Sequence, residues 1–392
     1  MFIERKIYNT LKSHLTVKQI TVITGMRRTG KTTLVRRLLD DCNSPNKLYL
    51  DLERMDIRLL FQESNYENII YSLTQRGLKF NEKVYLAIDE IQLLPGIISV
   101  IKYLYDHYSI KFIVTGSSSY YLKNQFTESL SGRKRIFELF PLDFNEFLVF
   151  KGIPFRPEKI GTPFSLPEYE RLKGLYEEYI RYGGFPEIVL SSSSTEKLDL
   201  LNDLINSYIN IDIKTLSDFR NLASVYSLTK MLATRCSTRL DISKISALTG
   251  ISRPTVTNYI ELFENTYLIY LVPVYTKNID RELVKAKKIY FCDTGLLSTL
   301  ASPGSGIIFE NAIYLQLRQL GNVNYYALKT GREIDFILNQ SIAFEAKETP
   351  MIQDFISLSR LCSTIDIREK YIIGHFPPPK SFDGFIWGGN VK

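Results

Sequence analysis

The sequence predicts an α/β fold: a doubly wound parallel sheet, then a helical middle, then a smaller α/β end. Three observations predict it. Between about residues 17 and 150, short β-branched or apolar runs alternate with stretches of helical spacing. The first run is joined to the first helical stretch by a glycine-bounded loop, Gly25-Met26-Arg27-Arg28-Thr29-Gly30-Lys31-Thr32. Past residue 240, a helix, glycine turn and helix cadence gives way to strand-like segments ending in Glu345-Ala346-Lys347.

Composition narrows the classes. With 392 residues the chain has room for several domains, each with its own core. It is 45% hydrophobic but contains no apolar run long enough to span a bilayer, and Met1-Phe2-Ile3-Glu4-Arg5-Lys6 is no secretory leader. A cytoplasmic protein with no membrane partner is expected. Cys42, Cys236, Cys292 and Cys362 lack disulfide or zinc spacing and are expected as buried or inert thiols. A net charge of +7 is compatible with a nucleic-acid partner without requiring one. Most of the 25 Tyr and 23 Phe are expected in cores.

The loop is a G-x-x-x-x-G-K-[ST] phosphate loop in its required setting. Ile20–Thr24 precedes it as a strand, and Thr33-Leu34-Val35-Arg36-Arg37-Leu38-Leu39 follows as a helix. Glycines let the backbone turn its N–H groups inward, so phosphates meet amide donors and the positive helix end. The expected nucleotide contacts are Gly25, Arg27, Arg28, Thr29, Gly30, Lys31, Thr32 and Thr33. Lys31 reaches the β/γ-phosphates and Thr32 ligates Mg²⁺. ATP and Mg²⁺ are therefore the expected ligands.

Lys47–Asp51 reads as the next strand. Val84-Tyr85-Leu86-Ala87-Ile88-Asp89-Glu90 is then an apolar run closed by two acids, as a buried parallel strand delivering carboxylates at its end requires. Asp89 is expected at the Mg²⁺ and Glu90 beside the attacking water. The last clear strand, Lys111–Thr115, ends in Thr115-Gly116-Ser117-Ser118-Ser119, placing hydroxyls at the same edge as the phosphate loop and Asp89. Ser117 is read either as a γ-phosphate contact or as an ordinary helix cap.

Further on, Ser129-Leu130-Ser131-Gly132-Arg133-Lys134-Arg135 is a basic cluster. Arg133, and after it Arg135, is a candidate arginine finger acting on a neighbouring copy, hence a possible homo-oligomer; a solvated turn or a nucleic-acid contact is the alternative. Residues 151–170, rich in Pro and Gly, read as a linker or surface loop, and the helical stretch through Tyr182 and Gly183-Gly184-Phe185-Pro186 reads as a small helical lid. Leu240–Leu262 has helix-turn-helix cadence, with Ser252 as N-cap, Pro254 in the first turn, and Thr255, Thr257 and Asn258 exposed. Leu268–Val272 and Lys287–Phe291 are candidate wing strands. Contact with duplex or branched DNA and pure packing both fit this segment, because Arg253 alone is basic in the second helix.

The end of the chain holds Glu310 in a helix-like run, Asp335 in a strand, and Glu345 and Lys347 in the next strand. Alternation puts Glu345 and Lys347 on one face, with Asp335 alongside across a hairpin. Glu310, Asp335 and Glu345 would hold Mg²⁺ while Lys347 orients water for phosphodiester attack; a hairpin with an exposed charged face is the alternative.

Taken in order, Gly25–Thr32, Ile88-Asp89-Glu90, Thr115-Gly116-Ser117-Ser118, Ser131-Gly132-Arg133, Gly183-Gly184-Phe185-Pro186 and Asp335…Glu345-x-Lys347 resemble the bacterial and archaeal AAA-type ATPases that carry a C-terminal nuclease-like PD-(D/E)xK domain. The resemblance covers nearly the full chain and leaves the substrate open. It implies an ATPase core over 1–155, a helical lid over 156–215, a winged helix over 216–280 and a restriction-endonuclease-like domain over 281–392.

Overall fold

The computed structural model describes residues 2–117, 130, 132–156, 160–213, 222–276 and 285–391. Ser118, Ser119, Ser129 and Ser131, singled out above, lie outside the described residues. The chain divides into two compact units: Met1–Phe140 with Asn265–Tyr267, and Pro141–Glu264 with Leu268–Lys392.

The first unit is a three-layer α/β sandwich. Its elements are α1 (Tyr8–His14), β1 (Ile20–Thr24), α2 (Lys31–Asp40), β2 (Lys47–Asp51), α3 (Met55–Phe61), α4 (Tyr66–Gln75), β3 (Val84–Asp89), α5 (Ile97–His107), β4 (Ile110–Gly116) and β5 (Lys134–Glu138). The strands run in the order β2-β3-β4-β1-β5, all parallel. Period-2 alternation divides the core. Ile20, Val22, Val84, Leu86, Ile88, Phe112 and Val114 pack against α3, α4 and α5, whereas Ile23, Ala87 and Ile113 meet α1 and α2. The doubly wound parallel sheet is thus as expected. It has one strand more than the apolar runs announce, because β5 opens with the charged pair Lys134-Arg135 and conceals its alternation.

The second unit opens with helix Phe144–Phe150, so the first unit ends at Phe140 rather than near 155. The Pro-rich stretch expected as a linker or surface loop falls within the second unit, and its last residues already belong to helix Leu166–Tyr182. Phe144 explains the shift: its ring packs against Tyr176, Tyr179 and Trp387. The segments expected as lid, winged helix and nuclease-like domain also share one compact unit. Trp387, near the end of the chain, is 1% exposed and packs edge-on against Tyr169 and Tyr176 of the long helix Leu166–Tyr182. Gly183-Gly184 is a packing device in this unit. A Cβ on Gly183 would lie 2.1 Å from the Asp293 carboxylate, and one on Gly184 2.1 Å from the Leu142 carbonyl oxygen.

Helices Ile242–Thr249 and Arg253–Asn265 follow the expected cadence. Asp241 caps the first by accepting from Lys244 N–H, and Gly250, at φ +70°, ends it in the left-handed region. Strands β6 (Ile269–Val272) and β7 (Lys288–Phe291) then pair antiparallel. Arg253 and Asn258 are exposed, while Thr255 and Thr257 are half-buried. Strands β8 (Val323–Ala327), β9 (Glu333–Leu338), β10 (Ile342–Lys347), β11 (Glu369–Gly374) and β12 (Phe385–Trp387) form a mixed sheet in sequential order, backed by helix Ile352–Ile365. All four cysteines are free, three of them buried. Among the described residues no helix is long and apolar enough to cross a membrane.

At the amino edge of the first sheet, Lys111 of β4 is 1% exposed and donates to the Val17 and Gln19 carbonyls beside His14. Burial first, then Lys83, pushes the ammonium down to about 7; burial and Lys111 likewise lower His14. A lysine that binds its proton less tightly folded than unfolded costs stability at low pH and releases that cost as pH rises from about 7 towards 10.5. Wild type should therefore gain up to about 1.4 kcal/mol per pH unit over this interval relative to Lys111→Met. Urea unfolding of both proteins from pH 6 to 10 checks this, and parallel profiles would contradict it.

Candidate functional site

The parallel order places every carboxyl strand end of the first unit on one edge, and β4 lies between β1 and β3. The phosphate loop leaves β1 at that edge. Its curl depends on three left-handed residues: Gly25 at φ +150°, Arg28 at +64° and Gly30 at +97°. Gly25 is also sterically required, since a Cβ there would sit 2.2 Å from the Leu139 carbonyl oxygen. Lys31 opens α2, is 4% exposed, and donates to the Gly25 and Met26 carbonyls at 2.9 and 3.0 Å. Thr29 is buried and donates to Met26 O at 2.9 Å. Arg28 and Thr33 are exposed, and Arg27 lies 3.9 Å from Glu53.

Asp89, 2% exposed at the end of β3, is the centre of the site. Its carboxylate accepts from Thr32 Oγ1 at 2.6 Å, from Tyr49 of β2 at 2.6 Å, and from Thr115 of β4. Burial first, and then Asp89, raises the Tyr49 phenol, which keeps it a neutral donor. A hydroxyl and a carboxylate meeting beside a buried lysine are hard oxygen donors of the kind Mg²⁺ takes, so these residues fit that ion.

Glu90 follows in the left-handed region at φ +54°, its N–H donating to Thr115 Oγ1 at 3.1 Å. Gln92 donates both to the Glu90 carboxylate and, at 2.9 Å, to buried Ser117. The expected residues Lys31, Thr32, Asp89, Glu90 and Ser117 therefore share one edge. Sequence reasoning placed the Thr115 hydroxyl at this edge and passed over three other partners. Tyr49 carried a signal, since it stands near the end of a strand recognised as parallel. Gln92 stands two places after Glu90. Arg5, 7% exposed, donates to the carbonyls of Thr29 at 3.0 Å and Phe140 at 2.8 Å and braces the loop from outside any motif.

Arg133 and Arg135 lie elsewhere. Ile20 N–H donates to Arg133 O at 2.8 Å, and Ile20 pairs with Lys134, so both arginines stand at the amino edge of the sheet. The five residues of β1 separate that edge from the loop, roughly 16 Å of strand. Arg133 pairs with Asp106 at 3.0 Å and Arg135 covers the Phe137 ring at 5.1 Å. Neither reaches the nucleotide loop of its own chain.

In the second unit the β9–β10 hairpin does bring Asp335 beside Glu345, with Phe336 opposite Phe344. Lys347 pairs with Glu345 at 2.9 Å, and Asp335 accepts from Ala346 N–H at 3.0 Å. Burial and the neighbouring Asp335 charge raise both Glu310 and Glu345. Among the described residues no group of three or more His, Cys, Asp and Glu side chains is placed to hold a metal ion. Glu310 and Asp335 close instead on the buried ammonium of Lys288, at 3.4 and 3.5 Å. A cavity of about 350 Å³ lies alongside, lined in part by Arg332, Glu345, Lys347 and Arg360.

Residues 17–148 match the family model described as an AAA domain, and residues 173–305 match a domain of unknown function. An uncharacterized protein of Methanocaldococcus jannaschii is 29% identical over 342 residues, covering 85% of this chain and 75% of that protein. One from Haemophilus influenzae is 27% identical over 353 residues, covering 84% and 83%. Among solved structures, Aeropyrum pernix Orc1 in complex with DNA overlays with a TM-score of 0.34 at 13% identity, covering 76% of this chain and 92% of that one. Thermotoga maritima RuvB overlays at 0.33 and 15%, covering 72% and 93%.

The glycines of the loop differ in what they prevent. Gly25→Ala is expected to lose about 1–3 kcal/mol of stability to the Leu139 clash and to weaken nucleotide binding at least tenfold. Gly30→Ala, with nothing within 4 Å of its Cβ, pays about 1 kcal/mol of backbone strain. Thermal unfolding and titration with a fluorescent nucleotide check the ranking, which equal losses would contradict. The phosphate loop and the Asp89 strand end both lie within residues 17–148, the stretch that matches the AAA domain model.

Proposed function

We propose that the chain is an Mg²⁺-dependent ATPase that couples hydrolysis to work on duplex or branched DNA. The observation that carries the nucleotide half is the meeting of Thr32 with Asp89 at 2.6 Å beside the buried Lys31. Lys31 and the amides of the loop bind the phosphates, and Thr33, the half-buried Arg27 and the exposed Arg28 flank them. Thr32 and Asp89 would hold Mg²⁺, which when bound shields the phosphate charge on which attack must occur. Glu90 polarises the attacking water, held for that task by Gln92, while Ser117 and Thr115 sit where the γ-phosphate ends. Arg133, at the opposite edge, serves a neighbouring copy, so the working form is a homo-oligomer.

The DNA half rests on residues 242–291. A capped helix, a glycine turn, a second helix with exposed Arg253 and Asn258 at its start, and an antiparallel ribbon support a winged-helix reading. The lid over 156–215 and the nuclease-like end over 281–392 complete the layout, with the boundary of the ATPase core moved to Phe140. A second reading is an ATP-dependent switch signalling to a protein partner with an inactive nuclease-like end. The lysine among the carboxylates favours it, as does the lone basic residue of the second helix.

Lys31→Ala should reduce ATP binding by more than tenfold, whereas Glu90→Gln should bind normally and hydrolyse at least a hundredfold more slowly. Equal losses of binding and rate in both variants would refute the division of roles. Filter binding with duplex, single-stranded and branched DNA should show retention that weakens with salt and with Arg253→Ala. Retention of none of these DNAs, with or without ATP, would leave the protein-directed switch.

A further inference from the structure

Three carboxylates of the second unit converge on one ammonium. Lys288 Nζ lies 2.9 Å from Glu333 Oε1, 3.4 Å from Glu310 Oε1 and 3.5 Å from Asp335 Oδ1. The residue is 1% exposed and belongs to β7, which pairs with β6. Tyr325 presents its ring 5.7 Å from Nζ, a further contact selective for a cation. The carboxylates carry further contacts. Tyr290 donates to the same Glu310 oxygen, Oε1, at 2.7 Å and Arg239 pairs with Glu333 Oε2 at 3.2 Å. Lys347 holds Glu345 at 2.9 Å and Ala346 N–H holds Asp335 at 3.0 Å.

A divalent ion bridging Glu310 Oε1 and Asp335 Oδ1 would compete with Nζ, which lies 3.4 and 3.5 Å from them. The oxygens are spaced for N–H···O contacts near 3 Å, well outside the roughly 2.1 Å a magnesium ligand requires. An ion placed nearby would face a fixed like charge in a poorly screened interior. The residues present therefore do not fit the ion that the acidic pattern suggests.

We propose that Lys288 is a built-in replacement for a divalent cation in this cluster, so that the strand-rich end of the chain takes no Mg²⁺ and performs no metal-assisted phosphodiester cleavage. The ammonium is a fixed counter-charge among the acids, and the hairpin is held by an internal ion network rather than by metal. This inference does not rest on the nucleotide site, and its test is built to be blind to that site.

The test uses the nucleotide-free full chain carrying Asp89→Asn, which removes the carboxylate proposed for the other ion. Free Mn²⁺ is measured by electron paramagnetic resonance. The Asp89→Asn chain should show no Mn²⁺ binding that Asp335→Asn abolishes, up to millimolar ion. Adding Lys288→Ala leaves the acids without their counter-charge; that chain should gain one Mn²⁺ site at least tenfold tighter than any in its parent, and its thermal midpoint should rise with Mn²⁺. Asp335→Asn should remove both effects. An Asp335-dependent Mn²⁺ site in the chain that keeps Lys288 overturns the proposal. A folded Lys288→Ala chain that gains no site also overturns it. If Lys288→Ala folds only with Mn²⁺ present, the ion has replaced the lysine and the proposal stands; if it folds under neither condition, the chain that keeps Lys288 decides alone.

Discussion

The Asp89 carboxylate ties the nucleotide site together. It receives one hydroxyl from the first turn of the helix after the phosphate loop, one from β2 and one from β4. Three elements on different sides of β3 are thereby fixed to one pair of oxygens, in a position 2% exposed. A buried carboxylate is costly unless hydrogen-bonded, and charge-assisted bonds are the stronger kind, so the cluster specifies its own geometry. The strand order depends on the same constraint, because Thr115 reaches Asp89 only when β4 lies between β1 and β3.

A similar economy holds in the second unit, with a lysine in place of hydroxyls. Glu310 comes from a helix, Glu333 and Asp335 from β9, and Lys288 from β7. One ammonium therefore joins the ribbon after the helix-turn-helix to the mixed sheet. Asn311, fully buried, adds a second tie by pairing with both backbone groups of Phe291. Segments that composition separates into three modules are consequently one packed body, with Trp387 returning to the helix near its start.

The legible parts of the sequence were those with local rules. A strand, a glycine-bounded loop and a helix follow one another without a gap, so the phosphate loop could be placed to the residue. Asp89-Glu90 ends an unbroken apolar run, and the ten-residue interval from Asp335 to Glu345 suits a hairpin. The parts hidden from sequence were those decided by distant packing. Strand β5 begins with two cations, so its alternation is masked until β1 supplies a partner. Arg5 acts on carbonyls 24 and 135 residues away. Lys288 sits in what reads as an ordinary Lys-Lys wing segment, and nothing local shows that one of the pair turns inward to meet acids on two other elements. The boundary at Phe140 is likewise a matter of where Phe144 packs.

The central claim is that Thr32 and Asp89 form the magnesium end of an ATP site. The most direct measurement is the affinity for ATP with and without Mg²⁺, by calorimetry, in wild type, Thr32→Val and Asp89→Asn. The account predicts that Mg²⁺ strengthens ATP binding to wild type at least tenfold, and that most of this gain disappears in each variant while metal-free binding persists. An undiminished magnesium effect in both variants would contradict it.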